Sequence, residues 1–184
     1  MAEAGRVTPI LTANGVSIGL RAPFSRVVLR GRAADPKFAQ AVESVAGIAP
    51  PAVANTAVSG LLATLLWLGP DEWLLLSETQ GGADLVARLH TALKAVPHAA
   101  TDVSDARVVF TVAGTRAADV LAKGCTLDLH PRVFGQGRCA QTLLAKASII
   151  LHQRGSEPTF DLYVARSFAE YVQAWLVQAA QEYS

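Results

Sequence analysis

An order of elements that occurs twice constrains this chain most. "SRVVLRG" at 25–31 and "ARVVFTV" at 106–112 are β-branched runs, and each reads as a strand leading into a helix. "TLLWLGPDEWLLLS" at 64–77 and "ASIILHQRGSEPTFDLYVA" at 147–165 both read as strand, turn, strand. "ADLVARLHTAL" at 83–93 and "FAEYVQAWLVQ" at 168–178 then supply a helix to each half. The halves lie about eighty residues apart and share little identity, so what repeats is the order β-α-β-β-α. Hairpins pair locally and crossover helices need a sheet face to cover. Two such units therefore predict antiparallel sheets with helices segregated to one side. The expected fold class is α+β, two ferredoxin-like β-α-β-β-α halves forming one domain.

Local signals bound the elements. Asp35 is the expected N-cap of a helix with Pro36 at its first position, Phe38, Ala41, Val42 and Val45 on one face, and Gly47 at its end. Residues 48–60, with two prolines and small side chains, read as a loop. Gly69-Pro70-Asp71-Glu72 is a turn between strands over Leu62–Leu68 and Trp73–Ser77. A helix over Asp84–Val96 carries Leu85, Leu89 and Leu93 on one face, and a short strand follows at 99–104. In the second half, Thr115 is expected to cap a helix that Gly124 stops. A loop with Pro131, Gly135 and Gly137 leads to strands at 139–145 and 146–153. Ser167 is expected to cap the closing helix, on which Phe168, Tyr171, Val172, Trp175 and Leu176 recur at helical spacing. Residues 1–23 scatter aliphatics among Gly, Pro, Asn and Ser and read as an extended arm. The expected organisation is thus an arm over 1–23 and one globular domain over 24–184, built from repeats at about 24–103 and 104–184.

Composition narrows the function. Charged residues make up 17% and apolar residues 51% of the 184, against about 25% charged in a typical soluble domain. A core has little charge to give up, so the deficit falls on the surface, as expected where surface is buried against a partner. A formal net charge of +1 with no block of Lys or Arg gives no footprint for nucleic acid. The longest apolar runs, such as 57–69, are interrupted by Ser59, Gly60 and Thr64 and are too short to span a bilayer. Glu3 precedes any basic residue and no compact apolar stretch follows it, so no secretory signal is expected. The two cysteines, Cys125 and Cys139, then read as free thiols in a reducing compartment, and the expected location is cytoplasmic.

Each motif with chemical potential has a plainer reading. A general acid–base pair needs two carboxylates converging in a pocket, whereas Asp71 and Glu72 are neighbours in a turn and point apart. Trp67 and Trp73 flank them as strand residues, core or interface, with Trp73 expected as the interface anchor. "DLHPR" at 128–132 offers Asp128 and His130 as metal ligands, but a third at useful spacing is missing, since His90, His98 and His152 are scattered. Cys125 lies near without a second Cys/His pair. "GQGRC" at 135–139 has glycines and an arginine but precedes a strand and lacks the P-loop Lys-Ser/Thr. Ser104-Asp105 and the histidines do not assemble a triad in sequence order. No catalytic, cofactor-binding or metal-binding residue is expected in this chain.

"LGPDEWL" at 68–74, S-x-x-R-V at 104–108, "GTRAADVLAKGC" at 114–125, "DLHPRVF" at 128–134, "AQTLLA" at 140–145 and "FDLYVARSFAEY" at 160–171 form an ordered set. As a set, they resemble the γ subunits of heterotetrameric sarcosine oxidase, from about residue 20 onward. That family is related to the folate-binding domain of aminomethyltransferases, which has the doubled α+β architecture. The resemblance implies a flavoenzyme complex of α, β, γ and δ subunits that oxidatively demethylates sarcosine to glycine. Oxygen yields hydrogen peroxide, and the one-carbon unit leaves as formaldehyde or 5,10-methylenetetrahydrofolate. It also implies that FAD, FMN, NAD and tetrahydrofolate reside in partner subunits and that the γ chain is an accessory subunit docking on α. "KGCTLDLHP" and "FGQGRC" share letters with the K-G-C-Y-x-G-Q motif of one aminomethyltransferase branch but not its spacing. Two other readings stay open: a stand-alone folate or one-carbon-binding module with Arg132, Arg138 or His130 near the ligand, and a homo-oligomeric interaction domain.

Overall fold

The structure, a computed structural model, describes residues 5–184. The segment expected as an extended arm over 1–23 is a hairpin of β1 (Val7–Ala13) and β2 (Val16–Arg21), its residues 1–4 lying outside the described residues. Asn14 and Gly15 make the turn, and Gly15 takes φ 78°, a left-handed conformation that glycine adopts without steric cost. Val16 and Ile18 alternate onto a buried face, so the hairpin has a hydrophobic reason to dock.

Where one domain was expected, the chain divides into two compact units, Pro23–Ser104 and Gly5–Ala22 together with Asp105–Ser184. The first contains β3 (Ser25–Arg30), α1 (Pro36–Ala46), β4 (Ala57–Ser59), β5 (Thr64–Gly69), β6 (Glu72–Ser77), α2 (Gly82–Ala92) and β7 (Ala99–Asp102). Its antiparallel sheet runs β4-β5-β6-β3-β7. The three-residue β4 lies in the segment expected as a loop; a strand that short carries too little pattern to be seen in sequence. The Asp35 side chain accepts from the backbone N–H of Lys37, Pro36 opens α1, and Gly47 closes it at φ 72°, all as expected. Val27, Leu29, Leu65, Trp73 and Leu75 on one sheet face pack against Phe38 and Val42 of α1 and Leu85 and Leu89 of α2. Gly31 permits this closeness: a Cβ there would sit 2.0 Å from the Phe38 ring.

The second unit contains β8 (Arg107–Ala113), α3 (Ala117–Ala122), β9 (Cys139–Leu144), β10 (Ala147–Gln153), β11 (Thr159–Ala165) and α4 (Ala169–Ala180), with β1 and β2. Its sheet order is β1-β2-β8-β11-β10-β9, antiparallel throughout. In the first unit β7 lies beside β3; here β2 takes the equivalent place beside β8. Among the described residues no strand follows α4, and the N-terminal hairpin completes the ferredoxin-like order. Val16, Ile18, Phe110, Val112, Leu151, Phe160 and Leu162 pack with Val120 of α3 and Val172 and Leu176 of α4. The α+β expectation therefore holds, each unit carrying an antiparallel sheet with its helices packed on one core.

Details at the helices differ from expectation. Thr115 does not cap α3, whose N-cap position is Arg116 with no side-chain cap bond. A short 3-10 turn at Arg166–Phe168 precedes α4, so Ser167 does not cap it either. The buried face of α4 is Val172, Leu176 and Ala180, with Trp175 packed at its margin. Phe168 and Tyr171 fall outside that face and are exposed.

Candidate functional site

The acidic pair at the β5–β6 turn, Asp71 and Glu72, serves the strands. Glu72 accepts two hydrogen bonds from Arg30, its cross-strand neighbour, at 2.7 and 3.1 Å, and the Asp71 carbonyl accepts from the Gly31 N–H. Trp73 corrects the expectation of an interface anchor. It is fully buried, tilted against Phe38 with centroids 5.7 Å apart, and its indole N–H donates to the Pro51 carbonyl at 2.9 Å. A buried indole needs such an acceptor, and finding one inside the unit makes Trp73 a core residue. Trp67 is half-buried at the margin of the same core.

In the loop before β9, Asp128 Oδ1 accepts from the His130 backbone N–H at 2.9 Å, and His130 Nδ1 accepts from the Arg132 N–H at 3.2 Å. These side chains shape their own loop. Arg132 is exposed, and Arg138 Nε donates to the Val133 carbonyl at 3.5 Å. Among the described residues no group of three or more His, Cys, Asp or Glu is placed to hold a metal ion. Cys125 and Cys139 are free thiols, both buried.

Sequence reasoning missed a row of residues that the second sheet brings together. Strand pairing sets Gly19, Thr111, Asp161, His152 and Cys139 side by side across β2, β8, β11, β10 and β9. The centre is Asp161, with no exposed surface. It accepts from Arg21 Nη1 at 2.8 Å, from Arg154 Nε at 2.9 Å and from Thr111 Oγ1 at 2.8 Å. Arg21 stands two residues beyond Gly19 and so on the same face of β2. His152 is buried, and its Nδ1 has no hydrogen-bond partner. Burial pushes its pKa down to about 4, and the Arg154 and Arg21 charges push the same way against the pull of Asp161. The imidazole is therefore neutral at physiological pH.

Cys139, His152 and Asp161 in neighbouring strands suggest a nucleophile, a base and an orienting acid, but their bonding differs. An orienting carboxylate must accept the Nδ1–H of the histidine, and the nucleophile must be within reach of substrate. Here Nδ1 is unpartnered, the carboxylate is engaged by two guanidiniums and a hydroxyl, and Cys139 is fully buried. The row acts as a tie. Arg21 holds the hairpin strand β2, and Arg154 holds the β10–β11 turn, to one residue of β11. The signal in the sequence is the lone acid in the apolar strand "FDLYVA", which implies a buried countercharge without saying where it comes from.

Comparison with known proteins places this architecture. Residues 30–182 match the model of the sarcosine oxidase, gamma subunit family. The chain is 37% identical over 147 residues to the sarcosine oxidase subunit gamma of Corynebacterium sp. strain P-1, covering 80% of this chain and 71% of that one. It is 37% identical over 145 residues to that of Corynebacterium sp. strain U-96, covering 78% and 69%. Among solved structures, a chain of the heterotetrameric sarcosine oxidase from Corynebacterium sp. U-96, in complex with pyrrole 2-carboxylate, superposes with a TM-score of 0.85 at 30% identity. That match covers 96% of this chain and 89% of the other. The glycine cleavage system aminomethyltransferase T from Bartonella henselae shares the fold, with a TM-score of 0.67 at 16% identity over 90% of this chain and 46% of that one. With a family match over most of its length, this chain belongs to the sarcosine oxidase gamma subunit family.

Proposed function

We propose that this chain is the γ subunit of a heterotetrameric sarcosine oxidase, a non-catalytic member that docks on the α subunit beside β and δ. The complex oxidatively demethylates sarcosine to glycine in the cytoplasm, releasing hydrogen peroxide with formaldehyde or 5,10-methylenetetrahydrofolate. FAD, FMN, NAD and tetrahydrofolate are held by the partner subunits. The observation that carries this reading is the end-to-end likeness, 96% of this chain at a TM-score of 0.85, to a chain of a heterotetrameric sarcosine oxidase. Two features support a role in assembly. In the row that sets a cysteine beside a histidine and an acid, Cys139, His152 and Asp161 are all buried, and the Asp161 carboxylate is held by two guanidiniums. The outward side of α4 carries Tyr171, Gln173, Ala174 and Gln178 around Glu170, the single charge of the helix. Phe168 packs edge-to-face on Tyr171 there, with centroids 6.3 Å apart. Exposed aromatics on a charge-poor helix are the composition of an interface centre. The test is reconstitution: the α, β and δ subunits are purified with and without this chain, and sarcosine-dependent peroxide production is followed. The reading requires turnover from the assembled complex and none from this chain alone; flavin absorbance or sarcosine oxidation by the isolated chain would overturn it.

A further inference from the structure

The two-histidine contact at the end of α2 is used by nothing described above. His90, exposed in the last turn of α2, places Nδ1 2.7 Å from Nε2 of half-buried His98, with ring centroids 4.9 Å apart. His98 Nδ1 lies 2.8 Å from the Val96 carbonyl, which can only accept, so His98 carries its proton on Nδ1 and presents a lone pair at Nε2. The His90 Nδ1–H donates into that lone pair. The turn holding His98 is fixed: the Val96 N–H donates to the Leu93 carbonyl, Val96 packs on the core, and Pro97 stands between it and His98.

We propose that His90 and His98 form a chelating site for a borderline divalent transition cation of the Zn²⁺ or Cu²⁺ class, with water in the remaining positions. Three features build it. A metal-binding histidine characteristically donates its second ring N–H to a backbone carbonyl, which is what His98 does to Val96. The cation would lie by the carboxyl end of α2, where the helix dipole favours positive charge. The geometry is near closure, because tetrahedral coordination at about 2.0–2.1 Å separates two nitrogens by about 3.3 Å. Opening the present 2.7 Å contact to that value needs only a small turn of the exposed His90 ring. When the metal enters, the proton between the rings moves to His90 Nε2, both imidazoles stay neutral, and the cation bridges α2 to the entry of β7. Buried Cys125 and Cys139 do not compete for it. The inference is independent of the family assignment.

The test uses the full chain. Zn²⁺ and Cu²⁺ chlorides are titrated calorimetrically into the wild type, His90→Ala, His98→Ala and, as a control, His130→Ala. One saturable equivalent is expected, tighter for Cu²⁺ than for Zn²⁺, weakened about tenfold or more in either site variant and retained in the control. Electron paramagnetic resonance of the wild type at one equivalent of Cu²⁺ needs no variant and should resolve two nitrogen ligands. Equal affinity in the wild type and both site variants, or a Cu²⁺ spectrum with fewer than two nitrogens, overturns the site.

Discussion

Replacing His152 by leucine should flatten the acid side of the stability profile. The imidazole has no partner at Nδ1 and is neutral at pH 7.5, so His152→Leu removes no hydrogen bond there and is expected to change stability by no more than about 1 kcal/mol. Below that pH the two chains diverge. The folded value, about 4, lies beneath the ordinary 6.5, so the unfolded chain takes up the proton first as pH falls. The contribution of the neutral ring is intact above pH 6.5, is lost between pH 6.5 and 4, and levels off below. At about 1.4 kcal/mol per tenfold in proton affinity, the full loss is about 3 kcal/mol, with about 2 kcal/mol gone by pH 5. Urea unfolding followed by tryptophan fluorescence at pH 7.5, 6.5, 5.5 and 5.0 gives the comparison. Wild-type stability should fall by about 2 kcal/mol relative to the variant's over that range. Parallel profiles for the two chains would refute the assignment of a buried neutral histidine.

Other substitutions test the packing. Asp161→Ala removes the carboxylate shared by a buried guanidinium and a second one and should cost about 3–5 kcal/mol in urea unfolding, at the top of the range for single changes. Gly31→Ala drives a methyl into the Phe38 ring and should cost about 1–3 kcal/mol, read as a lower Tm. Trp73→Phe leaves the Pro51 carbonyl without its donor and should cost about 1–3 kcal/mol while leaving affinity for the α subunit unchanged, since the ring faces the core.

What was legible in the sequence depended on range. Asp35, Pro36 and Gly47 bounded α1 because capping is decided within a few residues, and the Leu66–Leu76 hairpin announced itself through its turn chemistry. The N-terminal hairpin was readable in principle, since "ANGVSIGL" holds an Asn-Gly between β-branched runs. Its scattered aliphatics hid it, because only alternate residues of β2 face the core. No local rule says that β2 joins β8 across the whole first unit. The face of α4 is hidden for a related reason. Phe168 and Tyr171 match helical spacing, but the preceding 3-10 turn and the sheet select Val172, Leu176 and Ala180. Trp73 has the residue type of an anchor, but its N–H goes to the Pro51 carbonyl, 22 residues away. The Asp161 tie joins partners as far as 140 residues apart, a separation that residue types cannot encode and that strand register decides. The register that sets Cys139, His152 and Asp161 side by side was likewise not legible from spacing along the chain.

The role proposed for this chain is that of one subunit of four. Native mass spectrometry of the complex purified through a tag on the α subunit, all four subunits being co-expressed, tests it most directly. The expected assembly has a mass that includes one 19.3 kDa copy of this chain, which collision-induced release can eject intact. An active sarcosine-oxidising assembly from which the chain is absent, with the chain recovered folded and free, would contradict it.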